Sequence, residues 1–137
     1  MSVSAKVLLD SDILSLYFKK HPVVVSAAQD YLLHNFVFTF SVITRFEILR
    51  GMKARRASSQ LLAFDSFCKN NEIIELNDKV VVQAADIYSD LYRTGQLIGD
   101  ADILIAATAL ENGMALVTNN QSHFNRISGL TLLNWSK

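Results

Sequence analysis

The residues best suited to chemistry in this chain are carboxylates set against apolar runs. Asp10 and Asp12 follow the first run in VLLDSDIL, Glu47 interrupts TFSVITRFEILRG, and Asp100 and Asp102 lie in LIGDADILIAATAL. Each acid has an ordinary structural reading. Asp10, Ser11 and Asp12 are all good caps for a helix that follows them. Thr44-x-x-Glu47 matches a capping box, and Glu47 can pair with Arg50 on a helix surface. Asp100 suits an N-cap, and first helical turns favour acids. Asp102 is harder to place this way. It directly precedes Ile103–Leu110, the most apolar helix expected, where a half-buried carboxylate needs a partner or a metal. Asp10 and Glu47 are 37 residues apart, and Glu47 and Asp102 are 55 apart. Gathered in one place, such acids raise one another's pKa and cost stability unless a cation joins them. Hard oxygen ligands suit Mg²⁺ or Mn²⁺. Such an ion acidifies a bound water, orients it in line, and neutralises charge on a phosphate and its leaving oxygen. The expected chemistry is metal-assisted phosphodiester hydrolysis. Other chemistries lack their residues. Cys68 stands alone and His21, His34 and His123 are scattered, so no zinc cluster is expected. There is no Walker-type glycine loop and no Ser or Cys nucleophile in a recognisable elbow.

Acids this far apart meet only if the elements carrying them converge. Ala5–Leu9 is an apolar run stopping at Asp10 and reads as a buried strand. Ile13–Phe18 reads as a short helix, and Pro22 can open the next, over Val23–His34. Phe36–Phe40 is aromatic and β-branched, which predicts a strand. Ile43, Phe46, Leu49 and Met52 recur at helical spacing after Ser41, giving a helix over residues 42–54. Leu61, Phe64, Phe67 and Cys68 repeat that pattern. Glu72–Leu76 is a strand candidate, and Asn77 and Asp78 can cap the long helix after it. The expected apolar face of that helix is Val81, Ala84, Ala85, Tyr88, Leu91 and Tyr92, with Gly95 as its end. A helix over Ala101–Asn112 stops at Gly113, Met114–Val117 is a strand ending at Thr118, and Leu130–Leu133 is a short last strand. Apolar strands alternating with helices predict an α/β fold with a parallel sheet, both faces covered by right-handed crossovers. Such sheets carry their working groups at the carboxyl ends of the strands. Asp10 and Thr118–Asn119–Asn120 fall at those ends, and Asp100 and Asp102 start the helix before the fourth strand.

A length of 137 residues favours one domain, and half of them are apolar, enough for a packed core. Thirteen Lys and Arg balance 13 Asp and Glu. A neutral chain is not held to nucleic acid by bulk charge, though a local basic patch remains open. Arg45, Arg50, Lys53, Arg55 and Arg56 place five cations in twelve residues around Glu47. They read either as a track for an anionic polymer or as a solvated helix end suited to its dipole. Lys19 and Lys20 are a second, weaker track. The single Cys68 points to a reducing compartment. Met1–Asp10 has no long apolar stretch after Lys6, so no secretory signal is expected. No run approaches the roughly 18 apolar residues of a membrane span. A cytoplasmic protein without a membrane partner is the expectation.

In order and spacing, LLDSD, ITRFEILRG, IGDADILIAATAL and LVTNN followed by HF resemble the PIN-domain ribonucleases, and within them the VapC toxins of toxin–antitoxin pairs. The resemblance spans essentially the whole chain. It implies one PIN-like domain over 1–137, a three-layer α/β/α fold with a central parallel sheet, and a Mg²⁺ or Mn²⁺ site. Asp10, Glu47 and Asp102 match the family's first three acids, and Asp100 stands two residues before the third, in the same ligand set. Asp12 matches a position close to the metal, and Thr118 a threonine that orients an acid or water. Many members carry a fourth acid shortly after that threonine. Here the positions are Asn119, Asn120, Gln121, Ser122 and His123, which favours one well-held ion, with Asn120 as a neutral oxygen ligand or a donor to water. The resemblance further implies cleavage of single-stranded or loop RNA, often tRNA, by metal-activated water. It implies a homodimer and a VapB-like antitoxin that lays a helix into an apolar groove. Ile13–Phe18, Val23–Leu33 and Ile43–Met52 are candidate walls for that groove, and Val23–Val25 is more apolar than one core face needs. Two other readings stay open. One is a PIN-fold RNA- or protein-binding module with little or no turnover. The other is a haloacid-dehalogenase-type phosphatase, whose Asp-x-Asp pair Asp10-Ser11-Asp12 imitates and whose late acidic motif Gly99-Asp100 imitates; Lys79, the nearest lysine before that motif, fits it poorly.

Overall fold

The computed structural model describes residues 5–137; Met1–Ser4, part of the expected leader-free start and of the expected 1–137 domain, lie outside the described residues. The chain runs β1 (Val7–Leu9), α1 (Ser11–Phe18), α2 (Pro22–Asn35), β2 (Thr39–Ser41), α3 (Val42–Ala54), α4 (Ser58–Lys69), β3 (Glu72–Ile74), α5 (Asp78–Arg93), α6 (Asp100–Glu111), β4 (Ala115–Val117), α7 (Gln121–Phe124) and β5 (Leu132–Leu133). Every strand pair is parallel. β4 lies between β1 and β5, β2 pairs with β3, and β2 packs beside β1.

β1 and β4 are apolar because the sheet is covered on both faces there, as parallel sheets require. Side chains alternate between those faces. Val7, Leu9 and Val117 enter a core built with Ile13, Val24, Ile48 and Phe64 from α1 to α4. Leu8 and Leu116 enter a second core with Val80, Ile87 and Leu91 of α5 and Ile103 and Ala106 of α6. A helical layer thus covers each face, giving the expected three-layer α/β/α arrangement. In register, Leu9 stands opposite Val117. Asp10 and Thr118 therefore leave the sheet side by side.

The differences from the sequence reading have local causes. The strand expected over Phe36–Phe40 begins at Thr39, because Phe36 is the C-cap of α2 with a φ of 67° and its side chain is exposed. The N-cap of α3 is Ser41, whose hydroxyl accepts from the Thr44 amide, so Thr44-x-x-Glu47 is not a capping box. Gly99, not Asp100, caps α6. On α5 the buried face is Val80, Ala84, Ile87 and Leu91, while Val81, Tyr88 and Tyr92 of the expected face are exposed. That helix carries two adjacent apolar stripes, and periodicity alone could not say which one the sheet covers. Helix α7, only four residues long, gave no periodic signal.

Leu116 is fully buried at the centre of β4. Leu116→Ala is expected to cost about 3 kcal/mol in urea unfolding, whereas Phe36→Ala stays within about 0.5 kcal/mol.

Candidate functional site

Asp10 is the first residue past β1. Its amide donates to the Val117 carbonyl at 2.9 Å, which fixes its backbone against β4. Its carboxylate does two things. Oδ1 accepts from the Ser11 amide at 2.8 Å and caps α1, while Oδ2 accepts from the Thr118 hydroxyl at 2.8 Å. The capping role and a place in a site are therefore compatible. Thr118 is itself held by its amide on the Leu133 carbonyl of β5, and its Oγ1 accepts from the Asn120 amide. Asp10 is 4% exposed, and its pKa is raised to about 7. Burial is the main cause and the charges of Asp12 and Asp102 add to it, against the hydrogen bonds from Thr118 and Ser11.

Asp12 sits in the first turn of α1. Its Oδ2 accepts from the Asn119 amide at 3.0 Å, while its buried Oδ1 has no hydrogen-bond partner. Burial pushes its pKa up, with Asp102 contributing in the same direction. Asp102 lies in the first turn of α6, half-buried, with Oδ2 3.5 Å from Nδ1 of His123. Asp100 is the exposed first residue of that helix. Glu47 approaches from α3. Its Oε1 accepts from the Ser11 hydroxyl at 2.9 Å, and its Oε2 lies 3.8 Å from Arg50. Asn120 brings its amide nitrogen to 2.9 Å from Nδ1 of His123. The sequence reading passed over three participants. Ser11 connects Glu47 to the strand end, Asn119 holds Asp12, and His123 stands at Asp102. Ser11 had a signal, lying between two acids; His123 fell in the stretch after Thr118 where many family members carry a fourth acid, but α7, which presents it, was unrecognised.

Beside this cluster a cleft of about 950 Å³ opens between α1, α3 and α4. Ser11, Asp12 and Glu47 form its polar end, Phe18, Ile48, Phe64 and Phe67 its apolar interior, and Lys19 and Arg55 line it as well. Arg50, Lys53, Arg55 and Arg56 are exposed. Arg45 is not on that surface track. Its guanidinium lies over the Phe64 ring at 5.9 Å, and its Nη1 is buried without a partner. It serves the α3–α4 packing instead.

Among the described residues, no three His, Cys, Asp or Glu side chains form a ready-made cation cage. Glu47 is turned onto Ser11, and Asp10 is engaged by Ser11 and Thr118. The donor set nonetheless suits a hard divalent ion. It is rich in carboxylate oxygens, Asp12 Oδ1 is buried and unspent, and Asp10 is pushed up by burial and then by neighbouring charges that a cation would offset.

The fold belongs to a known class. Residues 7–130 match the PIN domain family model, and the chain is a member of that family. It is 31% identical over 131 residues to a protein named Ribonuclease VapC2 from Rickettsia felis, covering 95% of this chain and 98% of that one. A tRNA(fMet)-specific endonuclease VapC from Shigella flexneri is 26% identical over 132 residues, covering 96% and 98%. The solved structure of VapBC2 from Rickettsia felis, bound to a DNA fragment from its promoter, contains a chain that superposes with a TM-score of 0.84 at 30% identity, covering 96% of this chain and 99% of that one.

The folded state holds a proton on Asp10 up to about pH 7, against an ordinary value of 3.8. Between those values the folded form binds more protons than the unfolded one, so stability falls as pH rises through that window. Asp10→Asn is expected to flatten this dependence and to stabilise the metal-free protein at pH 8 by up to about 4 kcal/mol, measured by urea unfolding from pH 4 to 8.

Proposed function

We propose that this chain is a divalent-metal-dependent endoribonuclease, the toxin of a type II toxin–antitoxin pair, acting as one PIN unit in the cytoplasm. The observation carrying this reading is the buried Asp10 at the end of β1, tied to Thr118 and facing the charges of Asp12 and Asp102. Asp10, Glu47 and Asp102 would hold Mg²⁺ or Mn²⁺, with Asp100 adding charge at the first turn of α6. When bound, the ion supplies an acidified, in-line water and neutralises the phosphate. Thr118 keeps Oδ2 of Asp10 oriented, Asn119 holds Asp12 so that its Oδ1 stays free, and Asn120 borders the same edge. Burial of Asp10 strengthens every one of these charge interactions.

The substrate in this reading is single-stranded or loop RNA such as tRNA, whose backbone is open to a recessed site. The name of the Shigella flexneri relative supports tRNA as a substrate class. Arg50, Lys53, Arg55 and Arg56, with Lys19, would meet the phosphates. The apolar interior of the cleft suits a helix of a VapB-like antitoxin, and the VapBC2 complex of Rickettsia felis supports such a partner. The exposed stripe of Val81, Tyr88 and Tyr92 on α5, where the two tyrosine rings stack, suits a homodimer contact. No helix among the described residues is long and apolar enough to cross a membrane.

The test is cleavage of total bacterial RNA by partner-free protein with Mn²⁺, with Mg²⁺ and with a chelator. Discrete fragments should form only with metal. Asp102→Asn should lower the rate at least about 100-fold, while Asp86→Asn, an exposed acid on α5, leaves it unchanged. No cleavage by folded protein would replace this reading with a non-catalytic binding module. In sedimentation velocity, Tyr88→Glu combined with Tyr92→Glu should convert dimer to monomer; an unchanged dimer would move the contact to another face.

A further inference from the structure

We propose that His123 is a nitrogen ligand of the divalent ion held at Asp102, in the part of the ligand set that a fourth carboxylate would otherwise fill. This rests on the metal-dependent reading above and specifies the chemistry of that same site. Nδ1 of His123 lies 3.5 Å from Oδ2 of Asp102. The amide nitrogen of Asn120 stands 2.9 Å from Nδ1, which accepts from it in the tautomer that carries the ring proton on Nε2. In that tautomer Nδ1 offers a lone pair beside the Asp102 oxygen, an arrangement that a shared cation can join. Adjacent ligands of an octahedral ion with bonds of about 2.1 Å stand about 3 Å apart, so a small movement brings both onto one ion. Nδ1 then exchanges the Asn120 amide for the metal. Both side chains reach solvent, at 44% and 24% exposure, so an ion can approach them.

The position of His123 is built rather than incidental. Phe124, the next residue, is fully buried and anchors α7 in the second core. The amide of Phe124 donates to the Asn120 carbonyl, and the amide of Asn120 donates to Thr118, which holds Asp10. From the far end of this segment, Nη1 of Arg126 donates to the carbonyls of Gln96 at 3.2 Å and Leu97 at 3.4 Å, in the loop leading into α6. The segment bearing His123 and the helix start bearing Asp102 are thereby held together. An imidazole ligand favours first-row transition ions, whereas Mg²⁺ prefers an all-oxygen shell.

The experiment is Mn²⁺ binding to the full chain, read by titration calorimetry and by pulsed electron paramagnetic resonance for nitrogen coupled to the bound ion. The wild type should show the coupling of one directly bound imidazole. His123→Ala should lose it, weaken Mn²⁺ binding about 10-fold, and change Mg²⁺ binding less than about 2-fold. His123→Asp should recover tight Mg²⁺ binding without the nitrogen signal. Mn²⁺ binding that depends on Asp10 yet shows no nitrogen coupling would overturn the role of His123 and leave the metal site standing. A coupling that survives His123→Ala would overturn it too. No Mn²⁺ binding in the wild type would overturn both the ligand and the metal-dependent reading.

Discussion

The hydrogen bond from the Thr118 hydroxyl to Asp10 joins residues 108 positions apart at the ends of two neighbouring parallel strands. Parallel pairing makes it possible. Both strands end at the same edge, so the first residue past each one meets the other. A carboxylate this deep is costly unless its oxygens are engaged. The Ser11 amide and the Thr118 hydroxyl engage them, and the remaining electrostatic cost appears as a raised pKa. A protein selected for stability alone would place a neutral residue here. In the metal-dependent reading proposed above, binding a cation at this position would offset the cost of that burial.

Everything around the edge keeps that geometry from relaxing. Two cores press on the sheet from opposite faces and fix the strand register. The C-terminal segment braces the rim from outside. Oδ1 of Asn119 accepts from the side chains of Asn134 and Ser136, while the Asn119 amide holds Asp12. Trp135 packs on Tyr31 and Phe38 and anchors this segment to the first core. Asp12 is thus positioned by residues from both ends of the chain, which leaves its Oδ1 as a free buried acceptor.

Much of this was legible in the sequence, for identifiable reasons. Apolar runs closed by Asp10 and Thr118 revealed strand ends, and Pro22, Asn77, Gly95 and Gly113 marked helix limits because their backbone preferences are strong. Strand lengths were overestimated because apolar residues flank each ladder without joining it; Phe36 belongs to a helix cap. The buried face of α5 was misread because both of its stripes are apolar and burial is decided by the sheet. The basic run was read as one surface, but Arg45 turns inward against Phe64, which only tertiary packing determines. Side-chain pairings such as Ser11 with Glu47 and His123 with Asp102 depend on convergence of distant elements, to which local periodicity is blind.

The neutral net charge also takes on meaning once the charges have positions. Exposed charges are screened beyond about 8 Å at physiological salt, so total charge says little about what an anionic polymer meets at close range. Four carboxylates cluster toward the strand ends, and Arg50 stands 3.8 Å from one of them, Glu47. Left bare, the acids would repel a phosphate; a divalent ion among them would reverse the local sign, leaving the flanking cations to act on the polymer on either side. In the proposed reading, cation binding and RNA binding would be coupled through the same few ångströms, each favouring the other by the reciprocity of linked equilibria.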